Sequence, residues 1–136
     1  MKTRAIRNCN PLNIRFNPNN AWKGRTLFKH DTQFEEFIGM DFGFRAAVLL
    51  IRNYITRGYN TIEKIISRWA PPADCNNTQH YIQTVCHITS VGGREPLSVQ
   101  DTRIKEIVWA MAQVEAGKEI LNFRPDLDKA FDNFKL

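Results

Sequence analysis

At 136 residues the chain is long enough for one domain with a real core and too short for two typical ones. A hydrophobic content of 43%, with nine Phe, three Trp and three Tyr, is that of a globular protein, and no apolar run reaches the length of a bilayer span, which argues against membrane insertion. The net charge of +5 is uneven: Lys2, Arg4, Arg7, Arg15, Lys23, Arg25 and Lys29 all precede the first acidic residue, Asp31, so the N-terminal segment is expected to present a basic surface.

That surface suits nucleic acid, anionic lipid or an anionic cell-wall polymer, or is simply a solvated positive face, and charge alone does not choose. No nucleic-acid recognition motif accompanies it, so nucleic acid is not the expected partner. The first residues carry basic side chains without a following apolar stretch, which predicts synthesis in the cytoplasm without a cleaved signal peptide. Cys9, Cys75 and Cys86 are odd in number and scattered, which fits reduced thiols better than a disulfide framework. His30, His80 and His87 lack companion ligands at metal-binding spacing, so neither a metal nor another cofactor is expected.

In chain order, residues 8–30 are rich in Asn, Pro and Gly around short apolar pieces at 12–16 and 26–28, and read as a loop-rich lobe with at most a short hairpin. From Asp41 to Arg57 the pattern turns helical, with Phe42, Ala46, Leu49, Leu50 and Tyr54 as one stripe, widened by Val48 and Ile51, and Gly58 as the stop. Arg45 in this stretch is a candidate buried ion-pair partner for a carboxylate. Asn60-Thr61-Ile62-Glu63 has the form of a capping box with Asn60 as N-cap, ahead of a helix carrying Ile62, Ile65, Ile66 and Trp69. Ala70-Pro71-Pro72 ends that helix, and Asn76-Asn77-Thr78-Gln79 opens another through Tyr81, Ile82, Val85 and Ile88. Ser98 with Asp101 is expected to open a long helix, and 126–134 a short final one. The sum is a mainly α fold of about five helices with a small irregular or hairpin N-terminal lobe, a single domain over 1–136.

The long helix carries the candidate chemistry. Ile104, Ile107, Val108, Met111 and Val114 recur at helical spacing, and Glu115 lies four residues after Met111, in the same stripe. Glu115 is therefore expected to face inward, and Gly117 to end the helix just beyond it, where a cleft could reach. A carboxyl among apolar neighbours resists ionisation, which suits a general acid. The alternative is a boundary glutamate paired with Lys118 or an arginine.

Three segments carry a resemblance: Asn10-Pro11-Leu12-Asn13-Ile14-Arg15 with Trp22-Lys23-Gly24; Gly43-Phe44-Arg45-Ala46 through Gly58-Tyr59-Asn60-Thr61-Ile62; and Arg68-Trp69-Ala70-Pro71-Pro72 through Asn77-Thr78-Gln79-His80-Tyr81. Together they resemble a family of phage and prophage muralytic proteins, often labelled virion structural proteins, related to the lysin of enveloped double-stranded RNA phages. The resemblance runs from about Ile6 to Gly117 and implies a lysozyme-like helical fold that attacks peptidoglycan. Members usually carry a Glu-Asn-Asp/Asn-Thr run after the prolines where this chain has Asp74-Cys75-Asn76-Asn77-Thr78, so a role assigned to that glutamate does not transfer. Residues 112–117 also look like the catalytic helix end of lytic transglycosylases, and 10–15 with 22–24 like their Asn-containing hairpin, in reversed order, as though the fold were circularly permuted.

The resemblance implies cleavage of the glycan strand, by a muramidase or lytic transglycosylase route, with Glu115 as general acid/base and bacterial peptidoglycan as the partner of a monomeric protein. Asn13, Trp22, Tyr59, Thr78 and Tyr81 are the expected substrate contacts, because sugars are bound by aromatic faces and amide or hydroxyl groups. Trp69 and Trp109 read as core. A second carboxylate, if used, would come from Asp31, Glu35, Glu36 or Asp74. The competing readings are a noncatalytic virion protein that binds wall glycan, and a peptidase on the cross-link, for which no nucleophile or metal set is visible. The protein would reach the wall after release or as part of a virion.

Overall fold

The computed structural model describes residues 2–133, and among them the chain is mainly helical. Six α-helices follow in order: α1 (Arg4–Arg7), α2 (Met40–Thr56), α3 (Ile62–Trp69), α4 (Thr78–Thr89), α5 (Ile104–Ala116) and α6 (Arg124–Asp132). Short 3-10 turns at Pro72–Asp74 and Lys118–Phe123 link the later helices. The stretch between α1 and α2 is irregular, closed by isolated antiparallel bridges Arg15↔Phe34 and Arg25↔Phe37, as its Asn, Pro and Gly content predicts.

Helix α5 is the hub, packed against α1, α2, α4 and α6. Ile104, Ile107, Val108 and Met111 are buried as their spacing predicts, whereas Val114 is 42% exposed. In α2 the buried stripe is Phe44, Ala46, Ala47, Val48, Ile51 and Ile55; Ala46 is buried as expected, the rest of the stripe is turned by about one position, and Leu50 and Tyr54 lie on its flank. The β-branched Val48 and Ile51, read as widening the stripe, stand at its centre. Buried apolar side chains from all six helices and from Leu12, Ile14 and Phe37 form one contiguous cluster.

Three helix starts differ from the capping expectation. Asn60 is not the N-cap of α3; Thr61 is, accepting from the Lys64 N–H at 3.2 Å. With the frame moved by one, Glu63 no longer reaches back to the cap and instead pairs with Arg94, while the Asn60 carbonyl accepts from Leu97 N–H. Helix α5 begins at Ile104 rather than Ser98, because the Asp101 carboxylate accepts from Arg103 N–H and grips its guanidinium, holding residues 98–103 in turns. Asn77 rather than Asn76 caps α4, accepting from His80 N–H at 3.1 Å, so this frame too moves by one residue. The final helix starts at Arg124, with Pro125 in its first turn, and Phe134, expected within it, lies outside the described residues.

A close approach fixes α2 against the N-terminal loop. A Cβ on Gly43 would stand 2.0 Å from the Cys9 carbonyl oxygen and 2.7 Å from Pro11 Cδ, so only glycine lets the helix backbone reach this loop. That contact seats the segment that delivers Asn13 to the site.

A carboxylate at the junction of two cavities

Gly117, with φ +82°, ends α5 in a conformation that L side chains rarely adopt, and leaves Glu115 in the last turn. The Thr3 hydroxyl donates to the Ala116 carbonyl at 2.8 Å and ties this helix end to the start of the chain. Glu115 is half-buried, and no cation lies within ion-pair distance among the described residues. Its neighbours are hydrogen-bond donors rather than the apolar pocket expected from the stripe. Asn13 Nδ2 donates to Oε1 at 3.2 Å, and Trp69 Nε1 and the Tyr81 hydroxyl donate to Oε2 at 3.2 and 2.9 Å.

Each donor is placed by its own local structure. Asn10 is fully buried; its side chain accepts from Ile14 N–H and donates to the carbonyls of Ile14 and Glu35, which staples the 10–14 loop. Leu12 and Ile14 go into the core, and Asn13 between them adopts φ +53°, a left-handed conformation that Asn tolerates, and projects to Glu115. Its amide also donates to the Glu115 backbone carbonyl at 3.3 Å. Trp69 is the last residue of α3, and Tyr81 closes the first turn of α4. Burial, together with the negative charge of Glu115, holds the Tyr81 hydroxyl well above the usual tyrosine range, so it stays a donor.

The carboxylate stands where two open cavities meet. One, of about 430 Å³, includes Asn13, Arg15, Tyr54, Arg68, Trp69 and Asp74 in its walls. The other, of about 550 Å³, lies over α4 and the end of α5, with Asn77, His80, Tyr81, Thr84 and Gln113. Asn76 and Glu115 line both. A carboxylate offers about four acceptor sites, of which three are taken here, two of them on Oε2; the open site is therefore on Oε1. A group bound across the junction could exchange a proton with that oxygen.

Of the expected substrate contacts, Asn13 and Tyr81 reach Glu115, while three others stand elsewhere. Trp22 lines neither cavity and packs against the core, with its Nε1 buried and unpartnered. Tyr59 stands behind the wall, its ring 5.9 Å from that of Tyr54. Thr78 is buried, and its hydroxyl is spent on the Ala70 carbonyl at 2.5 Å, which locks the start of α4 to the end of α3 and so sets Tyr81 beside Trp69. Trp69, read as core, is half-buried with its indole N–H on the carboxylate; its place immediately before Ala70-Pro71 was the available signal, because a helix end next to a cleft exposes one edge of the ring.

Of the four carboxylates considered as a second acid, three are absorbed by the N-terminal lobe. Asp31 pairs with Arg4 at 2.6 Å and accepts from Asn8; Glu35 is fully buried against Arg25; Glu36 accepts from the backbone N–H groups of His30 and Asp31. Asp74 alone shares a cavity with Glu115. Arg45 is half-buried and lines a further cavity, with Lys23, Asp41 and Phe42, that has no wall residue in common with the other two. Among the described residues no cluster of His, Cys, Asp and Glu could hold a metal ion, and no helix is long and apolar enough to cross a membrane.

No family model matches the chain. It is 33% identical over 132 residues to Protein P5 of Pseudoalteromonas phage PM2, an alignment covering 95% of this chain and 80% of that protein. At that identity and coverage the two share one ancestry and one fold, and the chain belongs to the family of phage PM2 Protein P5.

Proposed function

We propose that the protein cleaves the glycan strand of bacterial peptidoglycan by general acid/base catalysis at Glu115. The observation that carries this reading is the Glu115 carboxylate at the junction of two cavities, held on both oxygens by Asn13, Trp69 and Tyr81 with one acceptor site open. Membership in a phage protein family, and the resemblance to muralytic proteins with a lysozyme-like fold, lend support.

In this mechanism the glycan lies along both cavities with the scissile bond over Glu115. Protonated Oε1 gives its proton to the glycosidic oxygen, the bond from that oxygen to the anomeric carbon breaks, and positive charge develops on the sugar. The glutamate is left ionised, and the three donors stabilise the charge that appears on it in this step. It then takes a proton either from water, whose oxygen joins the anomeric carbon, or from a hydroxyl of the substrate itself, which closes an anhydro ring. The first outcome is hydrolysis and the second transglycosylation. Asp74, which lines the same cavity, is the proposed group to assist a water in the hydrolytic branch.

The test is mass spectrometry of fragments released from purified peptidoglycan by the wild type and by Glu115→Gln. Anhydro ends that vanish in the variant identify a transglycosylase, and reducing ends that vanish identify a hydrolase. Fragments undiminished in the variant remove Glu115 as the acid. No fragments from either protein, with binding to the sacculus retained, make the groove a noncatalytic wall-binding site.

A further inference from the structure

Resting on the reading of the groove as a glycan site, we infer that its two arms differ in what they accept: the Arg15/Arg68 arm takes a carboxylate carried by the strand, and the α4 arm takes neutral sugar. Arg15 comes from the N-terminal loop and Arg68 from the last turn of α3, and both line the cavity that contains Trp69. Each guanidinium is placed by an aromatic ring rather than by an acid. Arg15 Cζ stands 5.1 Å from the Phe34 centroid and Arg68 Cζ 5.9 Å from that of Tyr59.

Neither makes an ion pair among the described residues, although Arg4, Arg25, Arg94, Arg103 and Arg124 all do. Stacking restricts the side chain without consuming its N–H groups, so the planar fork is left to bind a carboxylate from outside. The acidic groups of the same cavity are Glu115, whose oxygens are engaged by Asn13, Trp69 and Tyr81, and exposed Asp74. Among the described residues the other arm has no Arg or Lys in its wall; Asn76, Asn77 and Gln113 offer amides, which suit the hydroxyls and acetamido groups of a neutral sugar, while the Thr84 hydroxyl is given to the His80 carbonyl.

The substrate class that fits is a glycan bearing carboxylates, from its lactyl groups or from attached peptides, seated with one such substituent on the Arg15/Arg68 side of the scissile bond. A strand without carboxylates, such as chitin, would engage only the neutral arm fully.

Calorimetric titration tests this in a Glu115→Gln background, which prevents consumption of the strand. The ligands are soluble peptidoglycan strands with their peptides, the same strands stripped to lactyl carboxylates, and chitohexaose. Adding Arg15→Gln and Arg68→Gln is expected to weaken binding of the peptide-bearing strands by about tenfold for each guanidinium removed, with chitohexaose unchanged. The stripped strands separate the sources: loss retained on them assigns the lactyl carboxylate, and loss abolished assigns the peptide. Unchanged affinity for peptide-bearing strands, or an equal loss on chitohexaose, overturns the inference. If the parent protein binds neither glycan, the glycan reading of the groove falls with it; if it binds as expected but the wild type releases no fragments, the catalytic reading falls and this one stands.

Discussion

Tyr81, in the first turn of α4, donates its hydroxyl to Glu115 Oε2, in the last turn of α5, at 2.9 Å. Two residues 34 positions apart in sequence thus join consecutive helices through one hydrogen bond, and Trp69 adds a second from α3 to the same oxygen. The bonds brace the carboxylate from the side away from Asn13.

Tyr81→Phe and Trp69→Phe each remove one donor while keeping most of the ring volume. On the proposed mechanism each is expected to lower kcat about tenfold, the equivalent of one hydrogen bond of about 1.4 kcal/mol made to the charge that forms, with KM little changed. Steady-state kinetics on solubilised peptidoglycan give both numbers. An unchanged kcat would mean that the bonds hold the fold rather than the reacting group.

Thr78→Val tests the reassignment of Thr78 from substrate contact to strut. The variant leaves the buried Ala70 carbonyl without its hydroxyl partner, and the expected cost is about 1–3 kcal/mol of stability. Urea unfolding would register it, and kcat should fall as well, because the same bond sets Tyr81 beside Trp69 on Glu115; a loss of affinity with unchanged stability would instead return Thr78 to the substrate contacts.

Gly43→Ala places a methyl group against the Cys9 carbonyl oxygen and Pro11. Backbone cannot step aside as a flexible side chain can, so a destabilisation of at least about 1–3 kcal/mol is expected, seen as a lower melting temperature. Because the displaced loop carries Asn13, glycan affinity should fall as well.

Acid should weaken the ion pairs and hydrogen bonds that hold the N-terminal lobe. The Arg4 guanidinium holds the Asp31 carboxyl well below the usual carboxylate range, helped by Asn8 and the backbone N–H groups of Gln33 and Phe34. Burial pushes Glu36 up, but the N–H groups of Asp31 and His30 and the His30 side chain outweigh it and leave it lowered. Both groups bind fewer protons in the folded protein than in the unfolded chain. Their contribution is therefore complete above the unfolded values near about 4 and drains away as the pH falls below them. Urea midpoints should decline from about pH 5 to about pH 3, and Asp31→Asn should flatten that slope. A variant with the wild-type slope would exclude Asp31 as a source of the dependence.

What the sequence determined by itself is what local energetics control. Apolar spacing specified the helices and the burial of Ile104, Ile107, Val108 and Met111, and Gly117 ended α5 just after Glu115. The same logic missed by one residue at Asn60 and by several at Ser98, because more than one polar side chain was in reach of the free N–H groups and the choice depended on what Leu97 and Arg103 required. Only the tertiary structure decided which side chains converge on Glu115. Trp69 and Tyr81 reach it because α3 and α4 are locked through Thr78 and α4 packs on α5, whereas Trp22, with the composition of a sugar platform, packs against the core. A helix is encoded by neighbours three and four residues apart; a groove is encoded by contacts across 34, 46 and 102 residues, and no periodicity in the chain records them.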